Sequence, residues 1–389
     1  MLIGQEITIV GGGIGGFAAA TALALRGAQV TVLEQAPKIS EVGAGLQIGQ
    51  NGMAVLKALG LDEIARERSM QNQAIRLMDG LSGKEVIRLD LEKHRPNQDF
   101  RLFHRADLLD VLETAAREAG VVVETGAKLT RVDVSESSAK LTLEGKGERE
   151  VPFVIGADGL HSLVREELNG PKRPFFTNQV AWRALIPADG TDPSEATVWM
   201  GPHRHMVTYP LRGGSVINLV AVEERQEWVE ESWNRRDDPD HLRAAFMRYS
   251  KAPRALLDRV ETVHVWGLFR HEVAAKWHMG RAAILGDAAH PTLPFMAQGA
   301  VMALEDAWVL AESLAANGLN DGPALYQAYR RARAVRIVEA ANKNARNYHH
   351  ANPVARFIGF NGLRVMGRTS PNTVLERFDW LYNYDVTKA

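Results

Sequence analysis

Cysteine is absent from all 389 residues. That excludes disulfides, thiolate metal sites and any Cys-x-x-Cys redox pair. Long apolar runs are missing as well: none approaches the ~18 residues that a membrane-spanning helix needs. There is no excess of either charge. A net charge of −1 gives no electrostatic reason to bind nucleic acid or an anionic membrane. Internal repeats, low-complexity segments and metal-ligand spacings are not found either. The first glycine motif starts at Gly11 with no basic segment before it, so no secretory signal is expected. What remains is a chain of 46% hydrophobic and 24% charged residues, ordinary for a globular protein. It is too long for one core, and two or three domains or subdomains are expected, in the cytoplasm.

The strongest local pattern is Gly11-Gly12-Gly13-Ile14-Gly15-Gly16. An apolar run, Ile7-Thr8-Ile9-Val10, precedes it and an alanine-rich run from Phe17 to Leu25 follows. This predicts a strand, a tight turn and a helix. Gly11, Gly13 and Gly16 fit G-x-G-x-x-G, in which glycines allow the turn, the approach of backbone to a pyrophosphate, and close helix–strand packing. The phosphates then sit on the helix N-terminus. A second strand, Gln29 to Leu33, ends in Glu34 and Gln35, with Glu34 placed 18 residues past Gly16. That is near the ~20 expected for an acid that binds a ribose. The competing reading is a glycine turn with a carboxylate that merely ends a strand. No second G-x-G-x-x-G occurs. Two later segments share the form of an apolar strand ending in a glycine/acid turn: Gly156-Ala157-Asp158-Gly159 and Gly286-Asp287. Ligands of open α/β sheets bind at the carboxyl ends of strands. Three such turns on one ligand suit an extended dinucleotide, FAD; an NAD site would leave the later two unexplained.

Between these landmarks the period changes. Residues 71–104 and 128–150 alternate as antiparallel strands, and most of 176–270 reads the same way. His205 and Tyr209, four apart on one such strand, share a face. A helical interruption covers about 224–258, and its Glu/Arg-rich stretch 223–243 reads as a solvated face. Gly43 to Asn51 reads as a glycine-rich loop, followed by a helix to Leu59 with Asn51 as N-cap. Helices are expected over 301–317 and 323–350, and the aromatic tail around Phe378 to Tyr382 as a dimer contact or a lid. The chain therefore reads as α/β: a discontinuous Rossmann-like dinucleotide domain (1–70, 101–175 and 281–350), an inserted antiparallel-sheet domain (71–100 and 176–280), and a C-terminal helical tail (351–389).

The segment Arg281 to Pro291, containing Gly286-Asp287 and His290, resembles the signature of class A flavoprotein monooxygenases, the aromatic hydroxylases. Gly156-Ala157-Asp158-Gly159 with Ser162 and Arg165 resembles their second segment. The stretches Gly43–Asn51, His104–Leu108, His205–Gly214 and Ala297–Asp306 are most similar to salicylate, 3-hydroxybenzoate and 6-hydroxynicotinate hydroxylases. The resemblance implies a fold of the p-hydroxybenzoate hydroxylase type. It implies noncovalent FAD held by Gly11, Gly13, Gly15, Gly16, Glu34, Gln35, Gly45, Arg105, Asp158, Asp287, Pro291, Gln298, Gly299 and Ala300. Glu34 would take the adenosine ribose, Arg105 the phosphate or ribose region and Asp287 the ribityl chain. The helix starting near Gly299 would point its N-terminus at the pyrimidine edge of the flavin, favouring negative charge there. Gln50 and Ala300 depart from the pattern, where many relatives have Pro and Asn.

The implied reaction is hydroxylation of a small hydroxylated aromatic acid by a flavin C4a-hydroperoxide, with NADH or NADPH as transient reductant and O2 as co-substrate. A base that removes a phenol proton makes the ring electron-rich, and water must be excluded. His205 is the expected base or hydrogen-bond partner and Tyr209 a substrate contact, with Gln47 and Pro294 lining the pocket. Against this stand a structural His and a half-buried strand Tyr. Arg183 is placed to pair with a substrate carboxylate, with the reductant's phosphates, or in a structural ion pair. His290 reads as structural. The alternatives are an FAD-dependent reductase or oxidase of a non-aromatic substrate, and a flavin-binding sensor without turnover. Monomer and homodimer are both open.

Overall fold

The structure, a computed structural model, describes residues 1–39, 44–227 and 235–388, the side chains of 345–347 excepted. Its organising element is a six-stranded sheet. The strands run in the order His278–Met279, Ala282–Ile284, Val154–Gly156, Glu6–Val10, Gln29–Leu33 and Val122–Glu124. All neighbours are parallel except the first pair. Val10 lies opposite both Leu33 and Gly156, and Gly156 opposite Ile284. The three glycine/acid turns therefore leave the sheet at one edge, from strands far apart in sequence.

The helix Ile14–Ala24 follows the first strand. Phe17, Ala18, Ala19, Ala20, Ala22 and Leu23 in it are wholly buried, because a helix apolar on all sides must be covered on all sides. Alanine lets its neighbours come close.

A second sheet has eight strands, ordered Arg236–Asp237, Val263–Arg270, Phe175–Pro187, Val216–Glu224, Arg204–Leu211, Glu195–Gly201, Ala74–Asp79 and Glu85–Asp90. It is antiparallel except where 195–201 meets 74–79. The helices Pro239–Ala245 and Lys251–Asp258 cover one face, with Phe246 and Leu257 buried against Trp182, Met206 and Leu219. A small sheet of Gly45–Ile48, Arg101–His104 and Ser69–Gln71 is interleaved in sequence with the strands of the two large ones, and Leu102 from it packs on Tyr209 and Leu211 of the second. The stretch expected as a loop around Gly45 is thus a strand. Pairing with Arg101–His104, hidden from local sequence, makes it one. Gly43 lies outside the described residues.

One further expectation is corrected. The helix after Gly49 runs Gln50–Ala58 and has Gly49 at its N-cap, with Asn51 inside it and fully buried. The two expected C-terminal helices are both present within Gly299–Tyr348, separated at Gly318, where φ is +74°; only glycine adopts that backbone without strain, and it redirects the chain. The aromatic tail packs within the chain: Tyr382 meets Phe100 with ring centroids 5.5 Å apart, and Arg333 donates to the carbonyls of Trp380 and Leu381.

Candidate cofactor and substrate site

The glycine turn is built to two different ends. A Cβ on Gly16 would lie 2.0 Å from the Gly11 carbonyl oxygen, one on Gly11 2.3 Å from that of Ala157, and one on Gly15 2.7 Å from the Leu285 side chain. These glycines let strand, helix and neighbouring turn touch. Gly13 differs: a Cβ there would meet nothing within 4 Å. Gly13 is also the N-cap of Ile14–Ala24, and no side chain caps the first helical N–H groups there. An anion is the natural partner of such an end.

Around this helix end the structure gathers the acids named from sequence. Glu34 accepts the N–H of Gly12 at 2.7 Å and that of Ala36 at 2.7 Å; Gln35 beside it is exposed. Asp287 is solvent-accessible yet closely surrounded, and the crowding raises its carboxyl above the ordinary range, against the pull of His290 and Arg105. Arg105, far from Asp287 in sequence, lies close enough for its charge to act on that carboxyl. Asp158 is used differently. Its carboxylate accepts the hydroxyl of Ser162 and the N–H of Leu163, the latter at 2.9 Å. It holds the turn that closes against Gly11, with its oxygens already engaged.

Two substitutions separate these functions. Gly16→Ala is expected to abolish soluble, flavin-containing protein, because backbone must move. Gly13→Ala is expected to leave the apoprotein within about 1 kcal/mol of wild-type stability and to lose bound flavin. Flavin absorbance of the purified variants, set beside urea denaturation, checks both.

The loop after Asp287 leads to a second uncapped helix end. Pro291 is buried and Pro294 exposed, opening a short 3-10 turn. Ala297 has φ +51°, and the long helix starts at Gly299 and Ala300 behind Gln298, again with no side-chain cap. Gln298 is buried and accepts Asn51 Nδ2 at 3.1 Å. Gln50 turns away and accepts the backbone N–H of Asp99 at 2.6 Å.

Behind the loop lies a charged network that no sequence motif announced. Glu305, Asp306 and Arg330 are each 0% exposed. Arg330 pairs with Glu305 at 2.6 Å and Asp306 at 2.9 Å; Arg333 and Asn51 also bond Glu305. Asp306 accepts the N–H of Gly286 at 3.0 Å and is bonded to His290. His290 is therefore structural, as expected, holding the Gly286-Asp287 turn.

On the eight-stranded sheet, register sets out a second group. His205 lies opposite Val222, and Val222 opposite Ala181; Val207 opposite Val220, and Val220 opposite Arg183; Tyr209 opposite Asn218, and Asn218 opposite Leu185. Paired residues share a face, so His205, Arg183 and Tyr209 all rise from one side. Val207 and Val220 in the middle row are only half-buried, although they lie in the interior of the sheet. Part of this face is therefore left uncovered. His205 and Tyr209 stand ~13 Å apart along it, and Arg183 ~10 Å across from Val207. Phe295 of the 291–298 loop closes one end, 5.6 Å from the His205 ring, and packs with Leu293 on Val222 and Trp266. Gly45 and Gln47 close the other. Gln47 bonds the Tyr209 hydroxyl, which burial pushes above its ordinary range. Gly45 donates to Asn218 Oδ1 at 2.7 Å, and a Cβ on it would lie 2.5 Å from Tyr209. Its glycine requirement comes from the sheet. Arg183 is buried, its guanidinium 5.5 Å from the Trp266 ring centroid.

His205 is 2% exposed, and burial together with His349 holds its imidazole well below the ordinary range. Its Nδ1 lies 2.7 Å from Nε2 of His349. Nδ1 of His349 lies 2.9 Å from Glu224 Oε1, and Glu224 Oε2 lies 2.6 Å from Nδ1 of His203. Sequence reading missed His349, which follows the long helix 144 residues after His205. It also took Glu224 for part of a solvated helical face. Glu224 ends the strand Val216–Glu224, opposite Gln179.

Known proteins share the sequence and the fold of this chain. The chain is 36% identical over 394 residues to a 3-hydroxybenzoate 6-hydroxylase of Polaromonas naphthalenivorans (strain CJ2), covering 98% of this chain and 96% of that protein. It is 33% identical over 360 residues to a 6-hydroxynicotinate 3-monooxygenase of Bordetella bronchiseptica (strain ATCC BAA-588 / NCTC 13252 / RB50), covering 90% and 93%. A solved salicylate hydroxylase substrate complex superposes with a TM-score of 0.82 at 23% identity, over 99% of this chain and 96% of that one, and so shares the fold. The family model described as FAD binding domain matches residues 5–344. With the uncapped helix end at Gly13 and the acids gathered about it, these matches mean that the chain belongs to the FAD-binding-domain family.

Proposed function

We propose that this protein is an FAD-dependent monooxygenase that hydroxylates a small hydroxylated aromatic acid, using NAD(P)H and O2, in the cytoplasm as a monomer or homodimer. The observation that carries the reading is one sheet face, half-covered at Val207 and Val220, from which a histidine, an arginine and a tyrosine all rise beside the 291–298 loop. Arg183 offers a planar donor set suited to a carboxylate. Tyr209 and Gln47 orient the ring. His205, unprotonated because it is buried, accepts a proton from the substrate hydroxyl and makes the ring electron-rich. Leu293, Phe295 and Trp266 keep water out. FAD, when bound, supplies hydride uptake from NAD(P)H and activation of O2. Gly13 and Glu34 would hold its pyrophosphate and ribose, Asp287 and Arg105 its middle, and the helix end at Gly299 its flavin ring. The relatives' own names favour this over a reductase or sensor.

The test is a screen of hydroxybenzoates and hydroxynicotinates for stimulated NADH oxidation, with oxygen-18 tracing into product. Failure of every acid to raise the rate, with no label in any product, ends the proposal. With the substrate in hand, Arg183→Met is expected to raise KM about tenfold to a hundredfold, the loss of a hydrogen bond to a charged group of ~1.5–3 kcal/mol, with a smaller change in kcat. An unchanged KM would assign Arg183 to the sheet alone.

A further inference from the structure

We propose that Glu224 and His349 form a proton path that fixes the tautomer of His205 and carries the substrate proton to the protein surface. The inference rests on the reading of His205 as the base. Its own basis is the chain of contacts from His205 through His349 and Glu224 to His203.

The direction of each hydrogen bond follows from the chemistry of its groups. An ionised carboxylate only accepts, so His349 must donate to Glu224 from Nδ1. A neutral imidazole with a proton on Nδ1 has a bare Nε2. That nitrogen can only accept, so His205 donates to it from its own Nδ1. His205 is left with Nε2 unprotonated, the form a general base requires. A carboxylate orienting one histidine is a common arrangement; here it acts through a second imidazole.

The same contacts move a proton. Nε2 of His205 takes the substrate hydroxyl proton, and Nδ1–H of His205 passes to Nε2 of His349. Nδ1–H of His349 then passes to Glu224, and from there to His203 or water. One proton enters, one leaves, and no electron changes hands; both imidazoles are left protonated on Nε2, and the carboxylate of Glu224 draws them back to the Nδ1 form before the next turnover, with the protons exchanged through water. Burial falls along the path: His205 is 2% and His349 5% exposed, while the side chains of Glu224 and His203 are 38% and 56% exposed. The other titratable or charged groups facing it are few among the described residues. Tyr348 packs 5.1 Å from His205, its hydroxyl bonded to Asn344. Arg204 acts on His349 and pairs with Glu223 at 3.3 Å. The backbone supports the outer end: His203 holds φ +59° in the hairpin turn, which turns its ring to Glu224.

The test reads tautomers first. Holoenzyme labelled with 15N-histidine is expected to show His205 protonated at Nδ1 and bare at Nε2, and to lose that preference in His349→Phe. Glu224→Gln keeps an acceptor for His349 but cannot take a proton. On whichever aromatic acid the screen identifies, it is expected to lower kcat tenfold or more with KM within about twofold. Its acid limb should move to lower pH, because the carboxylate no longer stabilises a protonated imidazole pair. His205 protonated at Nε2 in the wild-type enzyme overturns the proposal, as does an unchanged kcat and pH profile in both variants. An enzyme that turns over no aromatic acid rejects the hydroxylase reading instead; the tautomers, measured without substrate, then decide the path alone.

Discussion

His205→Gln is expected to lower turnover about a hundredfold to ten-thousandfold, the usual contribution of a positioned general base, and to leave flavin content unchanged. Glutamine keeps a hydrogen bond to His349 but has no basic nitrogen. The flavin is expected to stay because the glycine turn, Glu34 and Asp287 are held by the six-stranded sheet and its loops, while His205 stands on the other sheet. The wild-type rate should fall only below the ordinary imidazole range, ~6.5, because burial holds the folded-state value lower. A kcat within twofold of wild type on the identified substrate would remove His205 from the chemistry.

Arg330→Met is expected to cost about 3–5 kcal/mol of folding stability, the usual loss when one partner of a buried ion pair is removed. Arg330, Glu305 and Asp306 are all inaccessible to solvent. Methionine fills much of the space but leaves both carboxylates short of a cation. Arg333 and Asn51 would still hold Glu305, and His290 and Gly286 would still hold Asp306. The midpoint of urea denaturation measures the loss, and a shift under ~1 kcal/mol would mean that those partners suffice. The pH dependence has a definite sign. His290 and Arg330 hold the Asp306 carboxyl down to about 2 despite its burial. A depressed carboxyl stabilises the fold above its unfolded value, ~3.9, and loses that contribution as pH falls toward its folded value. The wild-type protein should lose stability between about pH 4 and 2 more steeply than the variant. Flavin retention should fall as well, since Asp306 fixes the Gly286-Asp287 turn through the Gly286 N–H.

The parts legible in the sequence are those whose chemistry is local. Gly11 to Gly16, Glu34, Gly156 to Gly159 and Gly286-Asp287 each pair a strand end with residues that only a tight turn or a phosphate requires, so a short window is enough. The parallel register of Val10, Leu33, Gly156 and Ile284 then gives the reason: one sheet edge collects all three turns. His205 and Tyr209 were visible as two residues on one strand face. The strand Gly45–Ile48 was not visible, because its hydrogen bonds go to Arg101–His104. Nor was Asn51 as a buried residue, because its partners are Gln298 and Glu305.

By itself the sequence determined a cysteine-free α/β chain with a dinucleotide turn and two acid turns that the same ligand would use, since turn geometry and helix-end electrostatics are set over a few residues. Only the tertiary structure decided that Arg183 shares a face with His205, that Arg330 lies between two buried carboxylates, and that Glu224 and His349 meet. Those juxtapositions depend on sheet register and on where the helix that reaches Tyr348 ends, and no local pattern encodes either.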